Sequence, residues 1–147
     1  VVGAIQVFAP AWPDGEWLAR SSIPGRAVGN LRQPNHLSSL LLWSAIALAA
    51  CVDLRRLPRV AAAPLMALLV FAVVLTASRT GVVGVALLAL WGLVDRRLAP
   101  STRWLLVATP VLYAVSWLGM SAWAEAASAV AAARPTPASF DARGGGC

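Results

Sequence analysis

The chain has 147 residues, 59% of them hydrophobic and only 12% charged, with a mean hydropathy of +0.73. A soluble domain of this length needs more charge to cover its surface, so the composition points to an integral membrane protein. The net charge of +6 and pI near 11.3 come from arginines, with no lysine; these sit in short clusters between apolar runs rather than along one basic face, which argues against nucleic acid as a partner.

Cys51 falls inside an apolar run and Cys147 is the last residue. With no CxxC and no His/Cys cluster, neither a disulfide framework nor a metal site is indicated. The chain starts at Val1 without a methionine and ends in Gly144-Gly145-Gly146-Cys147. It reads as a fragment or truncated product of a longer polytopic protein.

In chain order, Val1 to Ala9 is apolar apart from Gln6 and reads as the end of a preceding membrane helix. Residues 10–35 carry Pro10, Pro13, Gly15, Pro24, Gly25, Gly29 and Pro34, which is loop chemistry. Trp12 and Trp17 beside Asp14 and Glu16 suit either an interfacial segment or a solvated loop with two buried indoles. A first clear helix is expected over about Leu37–Val52, with Asn35 as its N-cap behind Pro34. A second is expected over about Val60–Ala77, with Pro64 in its first turn. A third apolar run follows from Val82 to Val94, and a fourth helix from Trp104 to Trp123 with a kink at Pro110. From Glu125 the sequence is rich in Ala, Pro and Gly and reads as an amphipathic or disordered tail.

The fold class is therefore all-α, with about four membrane spans, since strands could not satisfy their backbone in lipid without closing into a barrel. Three regions result: an outward-facing loop over 1–35 with the end of a preceding helix, a four-helix transmembrane region over 36–123, and an outward-facing tail over 124–147. The sidedness follows from the arginines. The Arg55/Arg56/Arg59 loop and the Arg96/Arg97/Arg103 loop are two spans apart and so lie on one side, which the positive-inside rule makes cytoplasmic. Asp53 and Asp95 beside them are expected as helix-end charge partners. The opposite face then receives the polar cluster Gln33-Pro34-Asn35-His36, the turn Ser78-Arg79-Thr80, and the tail.

That outward face also holds Arg20, Arg26 and Arg32, against the positive-inside bias, and the N-termini of the first and third helices. Arginines and free helix-end amides together favour a phosphate. Arg79 either binds such an anion or holds helix-end carbonyls at the membrane interface. His36 is either catalytic or a helix-terminus histidine with structural hydrogen bonds. Gly81 and Gly84 read as sites of close helix packing.

Gly25-Arg26-Ala27-Val28-Gly29-Asn30-Leu31-Arg32-Gln33-Pro34-Asn35-His36-Leu37 resembles the signature of bacterial protein O-oligosaccharyltransferases. These are relatives of O-antigen ligases in the Wzy_C-type membrane glycosyltransferase superfamily. Leu75-Thr76-Ala77-Ser78-Arg79-Thr80-Gly81 resembles the superfamily's second hallmark, a T-x-S-R-(T/G)-G turn ahead of another span. The likeness covers residues 20–95; Arg32 stands where a small glycine is common in the family.

The resemblance implies an enzyme of the bacterial inner membrane with a periplasmic active face. It would transfer a glycan from an undecaprenyl diphosphate-linked donor to a protein Ser/Thr hydroxyl or a lipid A-core acceptor, without cofactor or metal. His36 and Arg79 would be its catalytic residues. Arg26, Asn30, Gln33, Asn35 and Ser78 would bind the donor. The family has a further periplasmic loop downstream, so the fragment is expected to be inactive alone. The alternatives are an O-antigen polymerase of the same superfamily, or a transporter or channel fragment in which the outward arginines gate an anion.

Overall fold

A computed structural model describes residues 2–12, 26–31 and 33–133. These are helical throughout, without strands among the described residues: α1 (Val2–Phe8), a 3₁₀ turn (Gly29–Leu31), α2 (Pro34–Asp53), α3 (Arg59–Leu75), α4 (Arg79–Val94), α5 (Pro100–Val107) and α6 (Thr109–Ala133). The all-α class is as the sequence leads one to expect. The chain divides into two compact units, Val1–Trp117 and Leu118–Cys147. Expectations for Trp17, Arg20, Arg32 and the tail from Arg134 onward lie outside the described residues, as do all of residues 13–25.

In the first unit, α2 is the central helix. It packs against α3, α4 and α5, while α5 lies along α4. The core is a set of small and flexible side chains: Ala45 and Ala49 of α2, Met66 and Val70 of α3, Leu88 of α4 and Leu106 of α5. Alanines on the central helix let its neighbours approach closely, and unbranched Met66 fills the remaining space. Glycines do the same on α4. A Cβ on Gly84 would run into the Leu42 side chain, and one on Gly81 would stand 2.6 Å from Val73 Cγ1.

Gly92 is the least forgiving of these positions. A Cβ there would meet Leu106 Cβ at 2.8 Å and the Arg103 carbonyl oxygen at 3.0 Å, neither of which can swing away. Gly92→Ala is therefore expected to destabilise the α4–α5 contact by about 1–3 kcal/mol, despite alanine's better helix propensity. Denaturant unfolding of the variant in detergent checks this; a variant as stable as wild type would show that the two helices can separate without cost.

The helix boundaries differ from those expected in ways that have local causes. α2 begins at Pro34, with Gln33 as N-cap, so Asn35 lies inside the first turn rather than capping it. Proline suits that first position because its missing N–H has no intrahelical role there. α3 starts at Arg59, which puts Pro64 in its second turn, where it leaves the Val60 carbonyl without its usual donor. α3 also ends at Leu75, two residues early, because Ala77 takes a left-handed φ of +45°.

The fourth helix is in fact two, α5 and α6, parted at Ala108. Pro110 has no N–H to give to Leu106, four residues back, so the ladder opens on its N-terminal side. The Thr109 hydroxyl donates to the Leu106 carbonyl at 2.7 Å and replaces the missing bond. α6 runs past Trp123 to Ala133, well into the stretch expected as tail. In the second unit its hydroxyls turn back on the helix, Ser121 to Leu118 and Ser128 to Glu125.

Two stretches, Pro34–Asp53 and Pro100–Val130, are long and apolar enough to cross a membrane. α3 and α4, at 17 and 16 residues, are shorter than the roughly 20 residues a perpendicular span needs. Leu40, Trp43, Leu68, Leu87, Leu90 and Val111 are exposed, an exterior that fits a lipid environment. Trp12 is 74% exposed, so the buried alternative fails for that indole.

Both acidic groups at the arginine-bearing end have partners other than the expected arginines. Asp53 accepts the Ala99 N–H at 2.7 Å. Asp95 accepts the Arg97 N–H at 3.0 Å and the Trp91 indole N–H at 3.2 Å. Arg103 instead donates to the Gly92 and Leu93 carbonyls, closing the C-terminus of α4.

Candidate functional site

The polar cluster and the Ser78-Arg79 turn meet at one end of the α2–α4 bundle. Three fasteners bring them together. The Ala27 N–H donates to the Leu75 carbonyl at 2.9 Å, tying the segment before α2 to the last turn of α3. The Ser78 hydroxyl donates to Asn35 Oδ1 at 2.7 Å, joining the start of α2 to the N-cap of α4 across 43 residues of sequence. The Ser38 hydroxyl stands 2.9 Å from the Asn35 carbonyl oxygen and 3.2 Å from Ser78 Oγ, beneath that joint.

The third element of the site is Gln6 on α1, which is 2% exposed. Its Oε1 accepts the Val28 and Gly29 N–H groups, each at 2.9 Å, and its Nε2 donates to the Gly29 carbonyl at 3.2 Å. A side-chain amide carries the same donor and acceptor as a peptide, so Gln6 acts as a one-residue strand partner for the Val28–Gly29 backbone. Gly29 takes a φ of +56°, which glycine adopts without the strain a Cβ brings, and lies against Leu37.

The sequence-predicted residues are thus arranged as follows. Asn35 and Ser78 are in direct contact. Ser78 is buried and its hydroxyl is engaged by Asn35, so its geometry is that of a fastener between helices. Asn35 is exposed, and with Oδ1 occupied its amide N–H groups have no partner among the described residues. His36 and Arg79 are both exposed and follow Asn35 and Ser78 directly in the chain. Arg26 and Gln33 are exposed on the segment leading into α2, and Asn30 lies in the 3₁₀ turn.

The first amides of both helices lack a side-chain cap. Two partly positive helix ends are therefore held side by side, with Arg79 at the first position of one of them. This constellation can bind an anion and stabilise developing negative charge. Among the described residues no group of His, Cys, Asp and Glu could hold a metal ion.

Sequence reasoning missed Gln6 and Ser38 as parts of the site. The one signal for Gln6 was a lone amide in an apolar nonamer. For Ser38 it was a hydroxyl one turn after Pro34.

A model of a family described as protein glycosylation ligase matches residues 27–50, from the Gln6-held backbone through most of α2. Neither a curated protein nor a solved structure matches the chain. The match supports a relationship to glycosyl-transfer enzymes that ligate glycans to protein. It includes Asn30, Gln33, Asn35 and His36 and ends before Ser78, which the fold brings into contact with Asn35, and before Arg79, which follows Ser78 in the chain.

Proposed function

We propose that this chain carries the donor-diphosphate half of a membrane O-oligosaccharyltransferase. The observation that carries the reading is the Asn35–Ser78 contact, which unites the family-matched segment with the arginine turn at two uncapped helix ends. In this reading Arg79, helped by Arg26, binds the diphosphate of an undecaprenyl-linked glycan and stabilises its charge as the glycosidic bond breaks. Asn35, Gln33 and Asn30 orient the donor. His36 positions the acceptor hydroxyl, or takes its proton as general base.

The acceptor is a protein Ser/Thr hydroxyl, which the family description favours over lipid A-core. The site faces the periplasm of the bacterial inner membrane, because the opposite ends of the helices carry Arg55, Arg56, Arg59, Arg96 and Arg97.

The test is transfer in proteoliposomes containing the full-length protein, a lipid-diphosphate glycan and an acceptor polypeptide. The reading expects the intact glycan on Ser or Thr. Longer glycans still on lipid would indicate a polymerase, and anion flux without transfer would indicate a transporter; either overturns it. Sidedness has its own check. Reporter fusions after Arg97 should be cytoplasmic and fusions after Arg134 periplasmic. The reverse result would separate Arg79 from a periplasmic donor.

A further inference from the structure

The opposite end of the bundle holds an open basin of about 530 Å³, lined by Arg55, Pro58, Arg59, Ala99, Pro100 and Ser101 among others. The glycan-transfer reading makes no use of it. Both arginines are exposed, and neither guanidinium has a hydrogen bond or ion pair among the described residues. Two cations converging on one cavity without a carboxylate bound to either leave their donors for a ligand.

The rest of the lining is largely apolar, including Val52 and Leu57, but two helix ends at its walls suit the same charge. α3 begins at Arg59 and α5 at Pro100, and neither has a side-chain cap, so two helix N-termini add partial positive charge at the walls. The Ser101 hydroxyl supplies a further neutral donor. Asp53 is a carboxylate at this end of the bundle, the last residue of α2. It is engaged by the Ala99 N–H at 2.7 Å and thereby fixes the wall that Ala99 forms. Exposed Leu54 and Val60 flank the arginines, so an apolar surface adjoins the cationic one.

We propose that this basin binds a phosphate group, held between Arg55 and Arg59. The adjoining leucine and valine favour the headgroup of an anionic phospholipid as its source; inorganic phosphate has the same chemistry without the chains.

The experiment measures thermal unfolding of the full chain in neutral detergent with added phosphatidylglycerol, phosphatidylcholine or inorganic phosphate. Arg55 permits an informative variant, because it sits at φ +55°. Arg55→Gly removes the guanidinium while relieving the backbone, so a merely structural arginine would be replaced without loss. The proposal expects phosphatidylglycerol to raise the unfolding temperature of wild type by several degrees more than phosphatidylcholine. It expects Arg55→Gly and Arg59→Gln each to abolish that difference. The double variant Arg96→Gln/Arg97→Gln, which removes two charges outside the basin, should keep it. Stabilisation by inorganic phosphate alone, with the same dependence on Arg55 and Arg59, supports the site and names free phosphate as the source. Equal responses to all three additives, or equal loss in the Arg96/Arg97 variant, overturn it.

Discussion

Replacing Arg79 with alanine is expected to slow glycan transfer by about 10²–10³-fold, the usual loss when one preorganised donor to a developing charge is removed. In the proposed reaction the departing diphosphate would gain negative charge as the glycosidic bond breaks, and Arg79 stands at the first position of α4, beside an uncapped helix end. Its guanidinium is exposed and has no hydrogen-bond or ion-pair partner among the described residues. The same variant should therefore unfold like wild type, which separates loss of chemistry from loss of fold. Arg79→Lys should fall between, since an ammonium keeps the charge but cannot grip two phosphate oxygens in a fork. Initial rates in proteoliposomes, with unligated lipid-linked glycan measured alongside, supply the readout. His36→Ala and His36→Gln separate that residue's two roles. Rescue by glutamine would mean a hydrogen bond to substrate, whereas loss in both would mean proton transfer. If Arg79→Ala transfers glycan at the wild-type rate, the anion does not sit at this end of the bundle.

Much of this geometry is legible in the sequence, and the parts that are not have a common cause. The four apolar runs, the all-helical class and the close approach at Gly81 and Gly84 follow from hydropathy and residue size. The break near Pro110 was also legible, but its position was not, because a proline opens the ladder toward the residue four before it. Asn35 is a stronger case. By local preference it is an N-cap, yet its side chain is drawn to Ser78 on another helix, and Pro34 and Gln33 take the helix start instead. Cap preferences are local; the contact that overrides this one spans 43 residues. The same holds for Asp53, which sits among arginines in sequence but bonds the Ala99 amide, 46 residues on. Composition and periodicity report which groups must be buried or solvated, and a partner that distant leaves no trace in either.

Gln6 shows how much a single such residue can carry. Replacing it with methionine, of similar length and without the amide, is expected to destabilise the first unit by about 2–6 kcal/mol, because two buried backbone N–H groups lose their acceptor at about 1–3 kcal/mol each. Val28 is 1% exposed and Gly29 is also buried, so water cannot readily replace the lost carbonyl oxygen. The Gly29 carbonyl loses its donor in the same step. Gln6→Glu distinguishes acceptor from donor: a carboxylate could still accept both N–H groups, but it gives nothing to the Gly29 carbonyl and brings a charge into a buried site. Glutamate should accordingly be no better than methionine at neutral pH and should regain stability as it protonates in acid. Amide hydrogen exchange gives the local readout. Val28 and Gly29 should be protected in wild type and exchange faster in both variants, while amides of α2 beyond its first turn change little. Transfer should fall with that loss of protection, since the released backbone leads directly into Gln33, Asn35 and His36. A methionine variant of wild-type stability, with Val28 and Gly29 still protected, would mean that the Ala27–Leu75 bond alone fixes this segment and that the buried amide merely fills space.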